Sequence, residues 1–143
     1  MKRQRKITNK SSPLSLLTAR GSDLIACAHV NLTMNNIIVT ITAPNGDVLA
    51  KKTAGSCDFA STQRSTKYAA QATGLAAGLR LKELIKQDGS VRIRSLIIYT
   101  RGIAKLRDAV IRGLASAGFN IEGIFDVTPI PHNGCRPPKR RRI

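Results

Sequence analysis

Apolar and polar side chains alternate along the first half of the chain in the pattern of β-strands. Leu24–Leu32 is mostly apolar, and residues 37–43 place an apolar side chain at every second position. The Asn-Gly pair within residues 44–47 suits a tight hairpin turn, and residues 48–54 follow as the returning strand. The first three strands are therefore expected to form an antiparallel meander.

The spacing becomes helical in the second half of the chain. Ser65 or Thr66 is expected to cap a helix that runs to about Gln87. Many apolar positions of this helix are alanines, which would let it pack close to a sheet. The predicted apolar positions are Ala69, Ala72, Leu75, Ala76 and Leu79.

Two strands and a second helix are predicted after it. The pattern indicates a strand at residues 91–99, a helix at 104–117 that Gly118 ends, and a short strand at 121–127. The order β-β-β-α-β-α-β predicts an α/β fold with a mixed β-sheet and two main helices.

Lysine and arginine outnumber the acidic residues and gather at the two ends of the chain. The 143 residues carry 24 Lys and Arg against 8 Asp and Glu, a net charge of +16. The chain divides into a basic N-terminal arm (1–22), a globular part (23–127) apolar enough to form a core, and a basic proline-rich tail (128–143). This charge indicates a polyanionic partner, most simply nucleic acid.

Several classes of protein are excluded. No apolar run approaches the ~20 residues that span a bilayer, so no membrane partner is expected. The widely spaced Cys27, Cys57 and Cys135 do not suit a disulfide framework and favour a reducing compartment. Aromatic residues make up 3% of the chain, which argues against a base-stacking platform on a strand. His29 is expected to be a hydrogen-bonded core or edge histidine.

No pattern points to catalysis or to a bound cofactor. The eight carboxylates are dispersed, and no Walker-type, H-E-x-x-H or G-x-S-x-G motif is present. His132 and Cys135 form an isolated H-x-x-C, whereas a structural zinc site needs four ligands. The chain is therefore expected not to be an enzyme and to hold no metal or cofactor.

Two stretches are candidates for phosphate binding through loops. In the tail, prolines hold the chain extended for arginines to contact phosphates, although such a run can also be a solubilising or nuclear-localisation segment. At residues 54–67, a loop with Gly55 and Ser56 leads into a helix N-terminus, where amides can bind an anion. An ordinary capped helix with solvated side chains explains this stretch equally well. The candidate residues are Arg64, Ser65, Thr66 and Lys67 beside this helix start, and Arg136, Lys139, Arg140, Arg141 and Arg142 in the tail.

A third candidate is a row of basic residues along the second half of the globular part. Arg92 and Arg94 are expected to share one strand face, although such a row can also be a solvated surface. The row consists of Arg92, Arg94, Arg101, Lys105, Arg107 and Arg112.

The same stretches resemble the universal small-subunit ribosomal protein S-eleven family in its bacterial and organellar form. Residues 128–142 closely resemble the C-terminal signature of that family, and residues 35–42, 44–46 and parts of 54–71 follow it in order. The resemblance covers about residues 25–143. It implies a ribonuclease-H-like α/β architecture without a carboxylate site, in a structural component of the small-subunit platform that binds small-subunit rRNA.

The resemblance also implies particular contacts and partners. Small-subunit proteins of the seven, eighteen and twenty-one types are the implied neighbours, and mRNA passes near the exit side. The altered loop at residues 99–105 and an N-terminal arm without a clear match favour a mitochondrial ribosome over a plastid or bacterial one. The implied rRNA contacts are Gly55, Ser56, Arg64, Ser65, Thr66, Asn133, Arg136, Lys139, Arg140 and Arg141.

Two other functions stay open from the sequence. A nuclease on a ribonuclease-H-like scaffold would need carboxylates that converge on metal ions. A general basic nucleic-acid-binding module would bind duplex DNA and rRNA equally at matched salt. The N-terminal arm can likewise be a targeting segment or an RNA-binding arm.

Overall fold

Five strands form one mixed sheet in the order β3-β2-β1-β4-β5. The computed structural model describes residues 24–88, 93–102, 104–136 and 138–139, so the predicted N-terminal arm lies outside it. β1 pairs antiparallel with β2 and β2 with β3, whereas β4 lies parallel to β1 and β5 parallel to β4. The predicted meander and mixed sheet are therefore confirmed. The strands are β1 (Leu24–Leu32), β2 (Ile37–Thr42), β3 (Val48–Thr53), β4 (Ile93–Gly102) and β5 (Asn120–Asp126).

The turn between β2 and β3 is one residue longer than a two-residue hairpin loop. The Gly46 amide donates to the Ala43 carbonyl, and the Ala43 amide donates to the Asp47 carbonyl, both at 2.9 Å. Gly46 adopts a φ of +93°, so the glycine closes a three-residue loop in the left-handed region.

Both helices, α1 (Lys67–Asp88) and α2 (Arg107–Ser116), cover the same face of the sheet. The reason is the handedness of the crossovers. β3 to β4 and β4 to β5 are parallel connections that step across the sheet in one direction, and a right-handed crossover then places each helix on the same side. Ala26, Ala28 and Val30 of β1 point toward the helices and are fully buried.

The buried face of α1 differs from the predicted one. Leu79, a predicted core position, is 48% exposed, whereas Thr73 and Leu81 are fully buried. The close crossing with α2 decides this orientation, because a Cβ on Gly74 would lie 2.5 Å from the Val110 carbonyl oxygen and one on Gly113 2.2 Å from the Gln71 carbonyl oxygen. The helices meet where glycine lets their backbones touch, so the larger Leu79 points outward.

Two of the predicted boundaries differ from those in the structure. β4 runs on to Gly102, because its parallel pairing with β1 continues as far as Leu32. The second helix begins with a 3-10 turn at Ala104–Leu106 and becomes α-helical at Arg107. Gly118 has a φ of +83° and ends this helix as predicted.

Among the described residues, no helix packs on the opposite face of the sheet. His29 points to this face from the central strand β1 and is exposed, so the prediction of a core or edge histidine was wrong. It stacks on the Tyr99 ring, with the centroids 5.3 Å apart. Among the described residues, no helix is both long and apolar enough to cross a bilayer.

Candidate nucleic-acid interface

The topology gathers the candidate segments at one edge of the sheet. β1, β3, β4 and β5 run in the same direction, so all four end at the same edge, which we call the upper edge. The loop of residues 54–66 follows β3, residues 104–106 follow β4, and the tail follows β5. Segments that lie far apart in sequence therefore start at the same edge.

The loop after β3 begins with a tightly bonded turn. The Thr53 hydroxyl accepts from the Ser56 amide at 3.1 Å, and the Ser56 hydroxyl accepts from the Thr53 amide at 2.9 Å. The Ser56 hydroxyl also donates to the Thr53 carbonyl at 2.8 Å. The amide and the hydroxyl of Ser56 therefore already form hydrogen bonds within the turn at Ala54–Cys57.

Arg64 joins the two halves of this loop. Its Nε donates to the Phe59 carbonyl at 2.8 Å, and a Cβ added to Gly55 would lie 3.3 Å from the Arg64 Cζ. The close approach that Gly55 permits is thus to the Arg64 guanidinium. Arg64 and Ser65 also line a polar cleft of about 370 Å³, which Asn35 of the β1–β2 turn completes.

Thr66 caps α1 as predicted. Its hydroxyl accepts from the Ala69 amide at 3.2 Å and donates to the Gln63 carbonyl at 2.8 Å. Its own amide also donates to the Gln63 carbonyl at 3.2 Å, so this amide already has a partner, as in an ordinary capped helix. The Ser65 hydroxyl donates to the Thr62 carbonyl at 3.1 Å.

A small cleft of about 140 Å³ joins the second and third candidate stretches. Lys67 from the start of α1 and Lys105 from the turn before α2 both line it, together with Arg112 of α2. Gln71, Asp108 and Ala109 complete the lining of this cleft. Three cations against one carboxylate leave a positive potential between the two helices.

The predicted basic row does not form one surface. Arg94 lies at the start of β4 and Arg101 near its end, so roughly 23 Å of strand separates them. Arg92, the predicted companion of Arg94, lies outside the described residues. The upper edge therefore includes Arg101 and Lys105 but not Arg94.

Arg107, which the sequence placed in the basic row, instead joins the start of α2 to the ends of β4 and β5. Its guanidinium lies 2.6 Å from the Asp126 carboxylate and donates to the Gly102 carbonyl at 2.7 Å. The Thr128 hydroxyl donates to Asp126 at 2.6 Å and accepts from the Gly102 amide at 3.1 Å. These bonds fix where the tail leaves the sheet. Hydrogen bonds from the Thr128 hydroxyl and amide, and then from Arg107, lower the pKa of Asp126.

The tail extends from this anchor without regular secondary structure. Residues 127–136 are exposed, as is Lys139. Asn133 adopts a φ of +55° in the Asn-Gly turn, a conformation that asparagine tolerates. Arg140, Arg141 and Arg142 lie outside the described residues, so among the predicted tail contacts only Asn133, Arg136 and Lys139 are placed.

Sequence reasoning missed two residues of this edge. Tyr68 is 74% exposed in the first turn of α1, and its ring packs edge-on against Phe59 at 5.7 Å. Asn35 reaches the loop cleft from another turn. The position of Tyr68 directly after the polar residues 61–67, at a predicted helix start, could have indicated it from the sequence. Only the fold brings Asn35 close to the loop.

We find no candidate metal site in the part of the chain that is described. No three His, Cys, Asp or Glu side chains there are placed to hold a metal ion together. Cys27, Cys57 and Cys135 are all free thiols.

Comparison with known proteins identifies the family. The family model described as Ribosomal protein S11 matches residues 26–142. The small ribosomal subunit protein uS11 of Caldicellulosiruptor saccharolyticus is 45% identical over 116 residues, covering 81% of this chain and 84% of its own. That of Dichelobacter nodosus is 48% identical over 118 residues, covering 82% and 84% respectively. With its mixed five-stranded sheet and basic upper edge, this chain belongs to the ribosomal protein S11 family.

Proposed function

We propose that this protein is a structural component of the small ribosomal subunit that binds small-subunit rRNA through its upper edge and its tail. Family membership supports the ribosomal assignment, since the family model matches residues 26–142, which is nearly the whole globular part and the tail. The protein acts by binding and has no catalytic activity of its own.

The convergence of Lys67 and Lys105 on one cleft carries the rRNA-binding part of the proposal. Thirty-eight positions separate these lysines in the sequence, yet they face the same space at the starts of two helices. A cleft rich in cations suits a phosphate group, because each neutralised phosphate releases condensed counterions. The exposed Arg101 and the tail would continue this positive surface on the side of β4 and β5.

The candidate residues divide into two roles. Lys67, Lys105, Arg101, Arg136 and Lys139 supply charge at exposed positions, and we assign them phosphate contacts. Arg140, Arg141 and Arg142, which lie outside the described residues, are assigned the same role from the family tail signature. The others shape the loop that meets the RNA: Gly55, Ser56, Arg64, Ser65 and Thr66.

The proposed partners and compartment extend the family assignment. Proteins of the seven, eighteen and twenty-one types are the proposed neighbours, with mRNA close to the exit side. The two relatives described above come from bacteria. We propose the mitochondrial ribosome for this chain, because residues 99–105 and the N-terminal arm depart from the family pattern.

Density-gradient fractionation of the native source tests the proposal, with cytosol and organelles kept separate and this chain followed by mass spectrometry. We expect comigration with a small ribosomal subunit from mitochondria that survives moderate salt. Comigration in another compartment would contradict only the mitochondrial assignment. A chain confined to light fractions would contradict the ribosomal function itself.

The electrostatic part of the proposal has its own measurement. If about six phosphates are neutralised, log affinity for small-subunit rRNA should fall against log salt with a slope of roughly −4 to −5. A slope near zero would exclude the phosphate contacts. Equal affinity for duplex DNA at matched salt would favour a general basic module instead.

A further inference from the structure

The sheet face opposite the helices carries a row of aligned rings. Strand register places Phe125, Tyr99 and His29 beside one another on β5, β4 and β1. The His29 and Tyr99 rings are 5.3 Å apart and 15° from parallel, and the Tyr99 and Phe125 rings are 5.5 Å apart and 23° from parallel. The three rings form one offset stack across the sheet.

This ring stack is open to solvent. His29 is exposed, Tyr99 is half-buried and Phe125 is 51% exposed. Beyond His29 the row continues with the short Thr40 of β2 and then Lys51 of β3, while Phe125 lies on the edge strand. Neither helix of the described residues lies on this face, so the stack is available to a partner.

A cleft with hydrogen-bonding groups adjoins the stack on the side of the upper edge. It measures about 280 Å³, and its lining includes His29, Asn31, Tyr99, Arg101 and Val127. Asn31 and Arg101 lie directly opposite each other on β1 and β4. The Asn31 amide can donate and accept hydrogen bonds, and Arg101 adds a positive charge at the mouth of the cleft.

We propose that this face binds an unpaired RNA base, which enters the cleft and packs against the His29 and Tyr99 rings while its phosphate contacts Arg101. Single-stranded RNA is recognised in this way, by stacking on aromatic side chains and by hydrogen bonds to base edges. The inference rests on the proposed function, since it takes RNA as the partner.

Charge favours RNA over a protein as the occupant. The row from Phe125 to Lys51 and the residues of the cleft contain two cations, Lys51 and Arg101, and no carboxylate. The chain as a whole carries a net charge of +16. An apolar protein surface would leave these cations without compensation, whereas a nucleotide matches both the rings and the charge.

Substitution of Tyr99 in the full-length protein tests the proposal with a uridylate octamer as probe. Tyr99→Leu keeps an apolar side chain but removes the ring, whereas the matched control Tyr99→Phe keeps the ring. We expect Tyr99→Leu to bind the octamer roughly 5- to 100-fold more weakly and Tyr99→Phe to bind it like the wild type. Phe125→Leu, on the edge strand, supplies a second ring deletion if Tyr99→Leu proves unstable.

Ultraviolet cross-linking to the same octamer gives an independent result. Trypsin cuts after Arg94 and Arg101, so Tyr99 is the only aromatic residue in the peptide of residues 95–101. We expect a nucleotide adduct on this peptide in the wild type. The inference would be overturned if Tyr99→Leu and Phe125→Leu bound the octamer like the wild type. It would also be overturned if nucleotide adducts were confined to the tail and to α1.

A separate measurement distinguishes this failure from failure of the proposed function. The wild type is also titrated with a small-subunit platform rRNA fragment. No binding there would contradict the proposed function. Normal rRNA binding, with octamer affinity unaffected by Tyr99→Leu, would overturn the base-stacking inference alone.

Discussion

Arg107 and Asp126 form an ion pair of 2.6 Å that joins the first turn of α2 to the last residue of β5. The same carboxylate accepts hydrogen bonds from the hydroxyl and the amide of Thr128. Three donors therefore converge on Asp126 at the point where the tail begins. Their arrangement makes the direction of the tail depend on one ionised side chain.

Asp126→Asn is expected to lower the melting temperature at neutral pH, because the amide loses the ion pair and part of the Thr128 bonding. The folded pKa of Asp126 lies below its ordinary value of 3.8, so the carboxylate stabilises the fold above that pH. This contribution is lost as the pH falls through the folded pKa. Thermal unfolding from pH 7 to pH 2 should therefore show wild type and variant converging below about pH 3.8.

Glu122→Gln, on the same strand, is the matched control for this pair. Glu122 is exposed and no ion pair is found for it among the described residues. We expect its melting temperature to follow that of the wild type at every pH. A constant difference between Asp126→Asn and wild type down to pH 2 would contradict a role for the charge.

Gly113→Ala is expected to destabilise the fold by about 1–3 kcal/mol or more. Its Cβ would lie 2.2 Å from the Gln71 carbonyl oxygen, so the two helices would have to separate. Chemical denaturation measures the change. Gly134→Ala, where the nearest atom would be 3.8 Å away, should stay within about 0.5 kcal/mol of wild type. Equal stability of both variants would contradict the close crossing.

Arg64→Lys separates the structural role of Arg64 from its charge. The lysine keeps the charge but loses the bond from Nε to the Phe59 carbonyl, so we expect a loss of about 1–2 kcal/mol in unfolding free energy. The salt slope of rRNA binding should stay unchanged.

Lys67→Gln is expected to change the salt dependence of rRNA binding and to leave the stability of the fold unchanged. Lys67 is exposed, so its removal should leave stability within about 0.5 kcal/mol. The slope of log rRNA affinity against log salt should become less negative by about 0.7–0.9, since one phosphate fewer is neutralised. Denaturation and salt titration of both variants check the assignment, and an unchanged slope for Lys67→Gln would remove this residue from the interface.

Deletion of residues 136–143 should leave the fold intact and weaken rRNA binding. The described residues of this segment are exposed, and the tail is anchored before it, at Thr128. Circular dichroism and thermal unfolding should match the full chain. The salt slope should move toward zero by about 0.7–0.9 for each phosphate that the truncated chain no longer neutralises. Unfolding of the truncated protein would instead make the tail part of the core.

The aromatic residues show why the ring stack could not be predicted from the sequence. With aromatic residues at only 3% of the chain, composition argued against a stacking platform. Register alone brings Tyr99 and Phe125 side by side with His29, because parallel pairing of β4 with both β1 and β5 aligns residues distant in sequence. Composition counts residues, whereas a surface depends on where the strands place them.

The sequence by itself determined the order of the elements, the mixed sheet, the Thr66 cap and the stop at Gly118, because alternation, capping and turn chemistry act between near neighbours. It also carried the tail signature of the family. Only the tertiary structure decided that Lys67 and Lys105 line the same cleft and that Arg94 lies far from Arg101. It also decided that Arg107 forms an ion pair with Asp126. Those relationships depend on crossover handedness, strand register and the glycine-permitted helix crossing, which join parts of the chain that no local pattern connects.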